Sequence, residues 1–117
     1  MLIRIDPAAL TPLFEQLAAA IRADVVRGTT VAGDRLPSAR ELAESLDINL
    51  HTVLRAYQEL RDEGLLDLRR GRGAIITAKA HDYATLATEL PRLIDLARTL
   101  GMGPAALAAL IREDYRS

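Results

Sequence analysis

The residues with the clearest capacity for chemistry are Arg70, Gly71 and Arg72, which lie in a short segment bounded by a further glycine. Guanidinium groups are planar cations that bind phosphate oxygens through paired hydrogen bonds, and glycine lets the backbone approach a groove or a phosphate closely. The stretch from Arg69 to Lys79 contains no acidic residue. The pattern therefore indicates a surface that contacts the backbone of a nucleic acid.

A second group of polar side chains crowds the start of a predicted helix. Asn49 suits the N-cap of this helix, because its side-chain oxygen can accept a hydrogen bond from a backbone N–H of the first turn. When the second helix of a helix-turn-helix enters the major groove, its N-terminal end is the part that meets the base edges. For Arg55 a solvated helix face is an equal alternative, and Arg61 is assigned to such a face. The candidate DNA-binding residues of this helix are Asn49, Leu50, His51, Thr52 and Arg55.

No constellation in the sequence indicates catalysis or a metal centre. His51 and His81 are the only histidines and lack metal-ligand spacing, and the absence of cysteine excludes disulfide and thiolate chemistry. Ser38 and Glu41 are explained by a helix capping box, and no nucleophile stands beside a base. The sequence therefore predicts no enzyme, no cofactor and no metal.

Two predicted helices lead up to the polar one. The first begins with Thr11 as its N-cap and Pro12 at its first position, and it ends at Gly28. The second begins with the capping box at Ser38 and ends near Leu46. Both helices are amphipathic, and each is expected to direct its apolar stripe inward. Their inward residues are Phe14, Leu17, Ala18, Ile21, Val25, Leu42, Ala43 and Leu46.

The third helix runs from Asn49 to Gly64, whose missing side chain suits a left-handed cap, and it buries Val53, Ala56, Tyr57 and Leu60. Beyond it the apolar residues alternate with period two, the chain turns over residues 70–73, and a strand returns over residues 74–77. The order of helix, turn, helix and basic-tipped hairpin predicts the α+β fold class and a winged helix-turn-helix. A solvated turn is the less favoured alternative for the hairpin tip, because a helix-turn-helix precedes it.

The composition is that of an ordinary globular chain, with 50% hydrophobic, 26% charged and 3% aromatic residues. The net charge is only −1, so the clustering of cations matters more for DNA binding than their sum. No apolar run approaches the ~20 residues that span a bilayer, and the first residues lack the pattern of a signal peptide. A cytoplasmic location and no membrane partner are expected.

Residues 80–117 are predicted to form a helical segment that follows a winged-helix domain over residues 1–79. A break at residues 101–104 separates two amphipathic helices, and Pro91 either kinks or divides the first of them. Their apolar stripes need cover, which a second copy of the chain supplies most simply, although a core within one chain is the alternative. The candidate dimer-interface residues are Tyr83, Leu86, Leu90, Leu93, Ile94, Leu107, Leu110 and Ile111.

Residues 11–77 resemble the GntR family of bacterial transcription regulators. The resemblance is carried by residues 12–17, by Pro-Ser-Ala-Arg-Glu-Leu-Ala within residues 33–43, by residues 49–60, and by Glu-Gly-Leu-Leu before the glycine-tipped wing. Together these pieces are specific, whereas each alone is weak. The short helical tail resembles the YtrA-type subgroup, which implies that the tail serves mainly for dimerisation, in contrast to the subgroups that carry a large effector-binding domain.

The resemblance also implies residue roles. Arg40 matches a DNA-contacting arginine of the family, Thr52 matches a contact of the recognition helix, and Gly71 matches the wing glycine that approaches the minor groove. Many relatives carry arginine where Leu50 stands, and leucine cannot make the bidentate hydrogen bonds that arginine makes to guanine. Either the sequence preference shifts to His51 and to thymine methyl contacts, or the chain relies more on backbone and shape readout.

The sequence therefore predicts a sequence-specific transcriptional regulator, more often a repressor, that binds a palindromic operator as a homodimer. Double-stranded DNA and a second copy of the chain are the expected partners, while no residue pattern supports a small-molecule effector. The alternatives are a winged-helix module that binds proteins, or a ligand-gated sensor without enzymatic activity. Salt-dependent binding to duplex DNA would distinguish the DNA-binding regulator from the winged-helix module that binds proteins.

Overall fold

A helix-turn-helix and a small antiparallel sheet form the first part of the computed structural model, which describes residues 3–71 and 73–117. The chain divides into two compact units, with the boundary between Thr85 and Leu86. The α+β winged helix-turn-helix predicted from the sequence is confirmed. The elements in chain order are α1 (Leu13–Arg27), β1 (Arg35–Leu36), α2 (Ala39–Leu46), α3 (Leu50–Asp62), β2 (Leu66–Arg69), β3 (Gly73–Ile76), α4 (Ala80–Tyr83), α5 (Leu86–Thr99) and α6 (Pro104–Tyr115).

The start of α1 differs from the sequence prediction by one residue. Pro12 is the N-cap, with an extended backbone, and its carbonyl accepts the first helical hydrogen bond from the Gln16 N–H at 3.1 Å. Thr11 was expected as the cap, but its carbonyl instead accepts a hydrogen bond of 2.7 Å from the Gln16 side chain. The same amide bonds the backbone of Asp6, so Gln16 ties the preceding segment to the helix.

The ends of α2 and α3 follow the sequence closely. Ser38 and Glu41 form the predicted capping box, in which the Glu41 N–H donates to Ser38 Oγ at 3.2 Å. Gly64 follows α3 with φ +90°, and the next N–H, that of Leu65, donates to the Leu60 carbonyl at 2.9 Å. Leu60 and Leu65 are both fully buried, which adds an apolar contact to this helix stop.

The sheet has three strands, although the sequence predicted only a hairpin. The strand order is β1-β3-β2, and both pairings are antiparallel. Strand β1 is two residues long and pairs Leu36 with Ala74. A Cβ on Gly73 would lie 3.0 Å from the Leu36 carbonyl oxygen, and Gly73 has φ +75°, so glycine permits this close pairing. The base of the wing is therefore bonded along both edges of β3.

One core holds the first unit together, and its residues come from α1, α2, α3, α4 and the sheet. Phe14, which was expected inward, is only half-buried at its edge. Transfer of such side chains from water contributes about 25 cal/mol per Å² of apolar surface. The buried residues are Leu17, Ala18, Ile21, Val25, Leu36, Leu42, Ala43, Val53, Ala56, Tyr57, Leu60, Leu65, Leu66, Ala74, Ile76 and Ala80.

The segment after the wing departs from the predicted boundary at residues 79 and 80. Helix α4 packs on α1 and buries Ala80, so it belongs to the first unit. Helix α5 starts at Leu86, after a turn at residues 84 and 85, and runs without interruption through Pro91. The predicted break near residue 101 is confirmed, because Gly101 has φ +77° and ends α5.

The second unit leaves most of its apolar side chains exposed. Among its residues only Ala97 is buried. Across residues 3–71 and 73–117, no single helix has the length and apolarity to cross a bilayer. The stretches Ala80–Thr99 and Pro104–Tyr115 reach that length and composition only together, with a bend of 116° between them. The large exposed apolar residues of this unit are Leu86, Leu90, Leu93, Leu96, Leu100, Leu110, Ile111 and Tyr115.

Candidate nucleic-acid interface

The turn between α2 and α3 fixes where α3 begins. Asp47 takes a left-handed conformation with φ +54°, and the Ile48 N–H donates to the Ala43 carbonyl at 3.0 Å, which closes α2. Two residues later Asn49 Oδ1 accepts a hydrogen bond of 2.8 Å from the His51 N–H, so the predicted N-cap is confirmed. Both ends of the turn are hydrogen-bonded, and this holds the first turn of α3 in a defined direction.

A shallow groove of about 410 Å³ lies at the start of α3, where it meets the start of α1. Four predicted DNA-binding residues line it, namely Asn49, His51, Thr52 and Arg55. His51 and Arg55 are exposed, and Thr52 is half-buried. Leu50 is not in this group, because it is half-buried and packs against the core cluster. The structure thus brings the four polar candidates for DNA binding together in one groove, whereas Leu50 contributes to packing of the core.

Arg55 stacks on an aromatic ring at the side of this groove. Its guanidinium carbon lies 3.7 Å from the centroid of the Phe14 ring, a cation–π geometry. A guanidinium uses its flat face in such a contact and keeps its N–H donors at the edges. Neither a hydrogen bond nor a carboxylate within residues 3–71 and 73–117 engages those donors. Arg55 is therefore held in place with its donors open to a ligand.

A cleft of about 770 Å³ separates the wing from the start of α2. The wing contributes Leu68, Arg69, Gly71 and Gly73, and the residues around the α2 capping box line the other side. The Tyr57 hydroxyl of α3 donates to the Pro37 carbonyl at 2.7 Å, and only 2% of Tyr57 is exposed. Burial, with the nearby Glu41 charge, holds the pKa of Tyr57 far above its usual range. Tyr57 is thus the packed aromatic that the sequence predicts, and it ties α3 to the entry of α2.

The exposed arginines differ in whether a carboxylate neutralises them. Arg40 on α2 and Arg70 at the wing have no acidic partner in the part of the chain that the structure describes. Arg69, by contrast, pairs with Asp67 at 2.8 Å, although it belongs to a stretch free of acids in the sequence. The two side chains lie on the same side of β2, two residues apart, and Asp67 precedes the acid-free stretch that begins at Arg69. Arg72, predicted to bind DNA, lies outside the described residues.

An ion-pair network that the sequence did not indicate joins α1, α3 and α4. Arg22 donates to Glu63 through Nη2 at 2.6 Å and Nε at 3.0 Å, and it also reaches Glu59 at 3.2 Å. The Tyr83 hydroxyl donates to the same Glu63 carboxylate, and the Lys79 ammonium donates to the Glu63 carbonyl. No sequence pattern pairs Arg22 with a residue 41 positions away.

The network shifts the pKa values of its members. Burial opposes the charge on Glu63, but hydrogen bonds from Arg22 and Tyr83 outweigh it and lower the pKa of Glu63 below its usual range. Burial and the bond to Glu63 raise the pKa of Tyr83 to about 12. The hydrogen bond to Glu63 raises the pKa of the Arg22 guanidinium despite its partial burial. Tyr83, predicted at a dimer interface, is half-buried within the first unit and packs against its core.

The other candidate interface residues belong to the second unit, and four of them line one apolar groove. The groove between α5 and α6 has a volume of about 350 Å³. The sequence missed Leu96 and Leu100, which are also exposed on α5, and Ala97 and Met102, which line the groove. Leu86, Leu93 and Leu110 are exposed but do not line it. The predicted residues in its walls are Leu90, Ile94, Leu107 and Ile111.

The described residues, 3–71 with 73–117, include no group of three or more His, Asp or Glu side chains placed to hold a metal ion. The groove at the start of α3 instead presents neutral and cationic donors. Such donors suit the oxygens and nitrogens of a nucleic acid.

Comparison with known proteins gives consistent matches. Residues 13–76 match the family described as bacterial regulatory proteins, gntR family. The chain is 42% identical over 79 residues to the HTH-type transcriptional repressor YtrA of Bacillus subtilis, which covers 68% of this chain and 61% of YtrA. It is 34% identical over 100 residues to the HTH-type transcriptional regulator Rv1152 of Mycobacterium tuberculosis, covering 86% of this chain and 83% of Rv1152. The chain thus spans less than two thirds of the length of Bacillus subtilis YtrA.

A solved structure supports the same relationship. YtrA from Sulfolobus acidocaldarius, described as a GntR-family transcription factor, aligns with a TM-score of 0.61 and 33% identity. The alignment covers 83% of this chain and 97% of that one. It therefore extends beyond the winged helix into the helical tail.

Proposed function

Because this chain belongs to the GntR family of DNA-binding bacterial transcriptional regulators and is YtrA-like within it, we propose that it controls transcription by binding an operator as a homodimer. Repression is the sign we assign, since the relative YtrA of Bacillus subtilis is named a repressor. A dimer that occupies DNA needed by the transcription machinery lowers transcription without any enzymatic step. The protein then acts in the cytoplasm, where the bacterial chromosome lies.

One observation carries this proposal: donors without acidic partners surround the start of α3 and the wing. Arg55 borders the α3 groove, Arg40 is exposed on the first turns of α2, and Arg70 stands at the wing tip. An arginine already paired with a carboxylate gains less from a phosphate than one that is not. The placement of these three cations therefore favours a polyanionic partner, even though the net charge is −1.

In the proposed mechanism α3 enters the major groove with its first turn towards the bases. His51 and Thr52 then lie where base edges are read, while Arg40 and Arg55 bind phosphates and fix the register. Arg70 binds a phosphate beside the wing, and Gly71 lets the wing backbone approach the flanking minor groove. His51 is exposed in the first turn of α3, while Asn49 uses its side-chain oxygen to cap the helix, so His51 is assigned the main share of the base preference.

A homodimer of this kind binds two half-sites related by a two-fold axis. Because each recognition helix must face the same side of the duplex, the half-site centres are expected about 34–36 Å apart or at a multiple of that distance. The apolar groove between α5 and α6 supports the pairing, since it is open and its walls are apolar. The operator is accordingly a palindrome of two short half-sites.

The test is selection from a pool of random duplexes, followed by anisotropy titration of the selected site at several salt concentrations. We expect a palindromic consensus and a steep salt dependence. Arg70→Ala should lower the slope of log K against log salt by about 0.9 for each lost phosphate contact, thus about 1.8 for the dimer. Arg61→Ala is the matched control, because Arg61 is exposed on α3 and already pairs with Asp62.

Absence of binding to any duplex at low salt would overturn the proposal and favour a winged-helix module that binds proteins. Enrichment of a single half-site without symmetry would retain DNA binding and reject the dimeric operator. An unchanged slope for Arg70→Ala would remove the wing cation from the mechanism.

A further inference from the structure

Phe14 lies on α1, whereas the residues predicted to bind DNA lie on α2, on α3 with its N-cap, and on the wing. It lies on the inward stripe, yet it is only half-buried and lines the groove at the start of α3. Its ring supports the Arg55 guanidinium at 3.7 Å. A core phenylalanine normally contributes through burial alone, so a half-buried ring that carries a guanidinium on its face requires another explanation.

We propose that Phe14 is a positioning residue of the DNA interface, which acts through Arg55 by holding its guanidinium in the orientation that binds a phosphate. This role rests on the DNA-binding function proposed above. The ring contacts the flat face of the cation, and the phosphate is bound by the N–H donors at its edge, so the two interactions do not compete. Phe14 itself touches no part of the DNA.

The physical gain is preorganisation. A free arginine side chain has about 2 kcal/mol of rotamer entropy, part of which is lost when it binds a ligand. Stacking on Phe14 restricts the Arg55 side chain before DNA arrives, so less freedom remains to be lost on binding. The same contact joins α1 to α3 beside Asn49 and Thr52. The phosphate bound by Arg55 therefore lies at a fixed distance from the first turn of α3, which is proposed to read the bases.

The contact also accounts for arginine at position 55. Lysine carries the same charge, but its ammonium is a compact point charge that cannot stack a plane on a ring while presenting a fork of donors. Arg55→Lys is therefore expected to bind DNA more weakly than the wild type, with nearly the same salt slope. Arg55→Ala is expected to lose both affinity and about 0.9 of slope per half-site.

The deciding experiment is a double-mutant cycle on the full-length protein, with Phe14→Leu, Arg55→Ala and the double variant titrated against the selected duplex. Phe14→Leu should weaken binding about two- to fivefold per half-site and keep the salt slope, because the charge remains. In the Arg55→Ala background the same substitution should change affinity less than 1.5-fold. Phe14→Tyr should restore binding, since tyrosine keeps the ring.

Thermal unfolding of each variant shows how much stability is lost, and so whether weaker packing of α1 accompanies a change in DNA affinity. An equal loss of affinity for Phe14→Leu with and without Arg55, or a loss that Phe14→Tyr does not restore, would show that Phe14 acts only through α1 packing and would overturn the role. Full wild-type affinity in Phe14→Leu would overturn it as well. Failure of the wild-type protein to bind duplex DNA is a different outcome, which rejects the proposed function itself.

Discussion

At the scale of the residue, arginines of the same formal charge have different local partners. Arg22 is engaged by two glutamates, Arg61 and Arg69 by neighbouring aspartates, and Arg55 by an aromatic ring. A carboxylate cancels the charge that a phosphate would feel, whereas a ring does not. The local partner, rather than the net charge, therefore decides which arginines are available to DNA.

Two wing glycines with the same backbone angle should respond differently to alanine. Gly71 and Gly73 both have φ +75°, which strains any residue with a Cβ by about 1–2 kcal/mol. Around Gly71 the space is open, while at Gly73 the new methyl would lie 3.0 Å from the Leu36 carbonyl oxygen. We expect Gly73→Ala to lower the free energy of unfolding by about 2–4 kcal/mol and Gly71→Ala by about 1 kcal/mol.

Urea denaturation of the two variants measures this difference. Equal losses of unfolding free energy would mean that β1 can shift away from a methyl group at position 73 at little cost. Gly71→Ala should in addition weaken DNA binding, because its proposed role is the approach of the backbone to a groove.

At the scale of the element, Glu63 links three helices and should make stability depend on pH. Its pKa is lowered in the folded chain, so its contribution is complete above the ordinary value of 4.5 and is lost as the pH falls through the lowered value. At pH 7 we expect Glu63→Gln to be less stable than the wild type by about 1–2 kcal/mol, discounted for partial exposure. The stability difference between the two proteins should shrink as the pH falls below 4.5 and through the lowered pKa of Glu63.

Denaturation titrations between pH 7 and pH 3 test this expectation, with Glu113→Gln as the control. Glu113 also pairs with an arginine, Arg116, but both side chains are largely exposed. A stability difference for Glu63→Gln that stays constant over the whole range would contradict the assigned charge of Glu63.

The same elements show what a sequence can and cannot specify. The capping box at Ser38, the N-cap at Asn49 and the stop at Gly64 are local signals and are confirmed, because each depends on residues a few positions apart. Strand β1 was missed, since two residues carry no period and their partners lie about 40 positions later. The cation–π pair of Phe14 and Arg55 depends on tertiary packing in the same way.

Helix α5 contains a proline whose consequence the sequence left open. Pro91 removes one backbone donor, and the sequence allowed either a kink or a division there. The structure keeps α5 continuous and breaks the chain earlier, at residues 84 and 85. Helix α4 ends at Tyr83, whose hydroxyl donates to the Glu63 carboxylate, a contact that no local pattern reveals.

At the scale of the whole molecule, the exposed leucines of the second unit predict self-association. Leu93 is 40% exposed on α5, and covering such a side chain contributes on the order of 1 kcal/mol. Leu93→Asp should shift the protein from dimer to monomer and weaken operator binding at least tenfold, because a buried carboxylate is costly. Light scattering after size exclusion measures the mass.

Thr88→Asp is the matched control, since Thr88 is exposed and lies on the opposite side of α5 from Leu90 at 100° per residue. A wild-type protein that is monomeric at micromolar concentration, or a Leu93→Asp variant that remains dimeric, would contradict this interface.

The small strand β1 has a consequence for the thermodynamics of binding. Because β3 is hydrogen-bonded on both sides, and the Gly33 N–H extends the pairing to the Ile76 carbonyl at 2.8 Å, the wing strands are already ordered in the free protein. Ordering a residue costs about 1–2 kcal/mol of backbone conformational entropy. DNA binding therefore avoids that cost along the wing strands, which leaves more of the contact energy to distinguish one sequence from another.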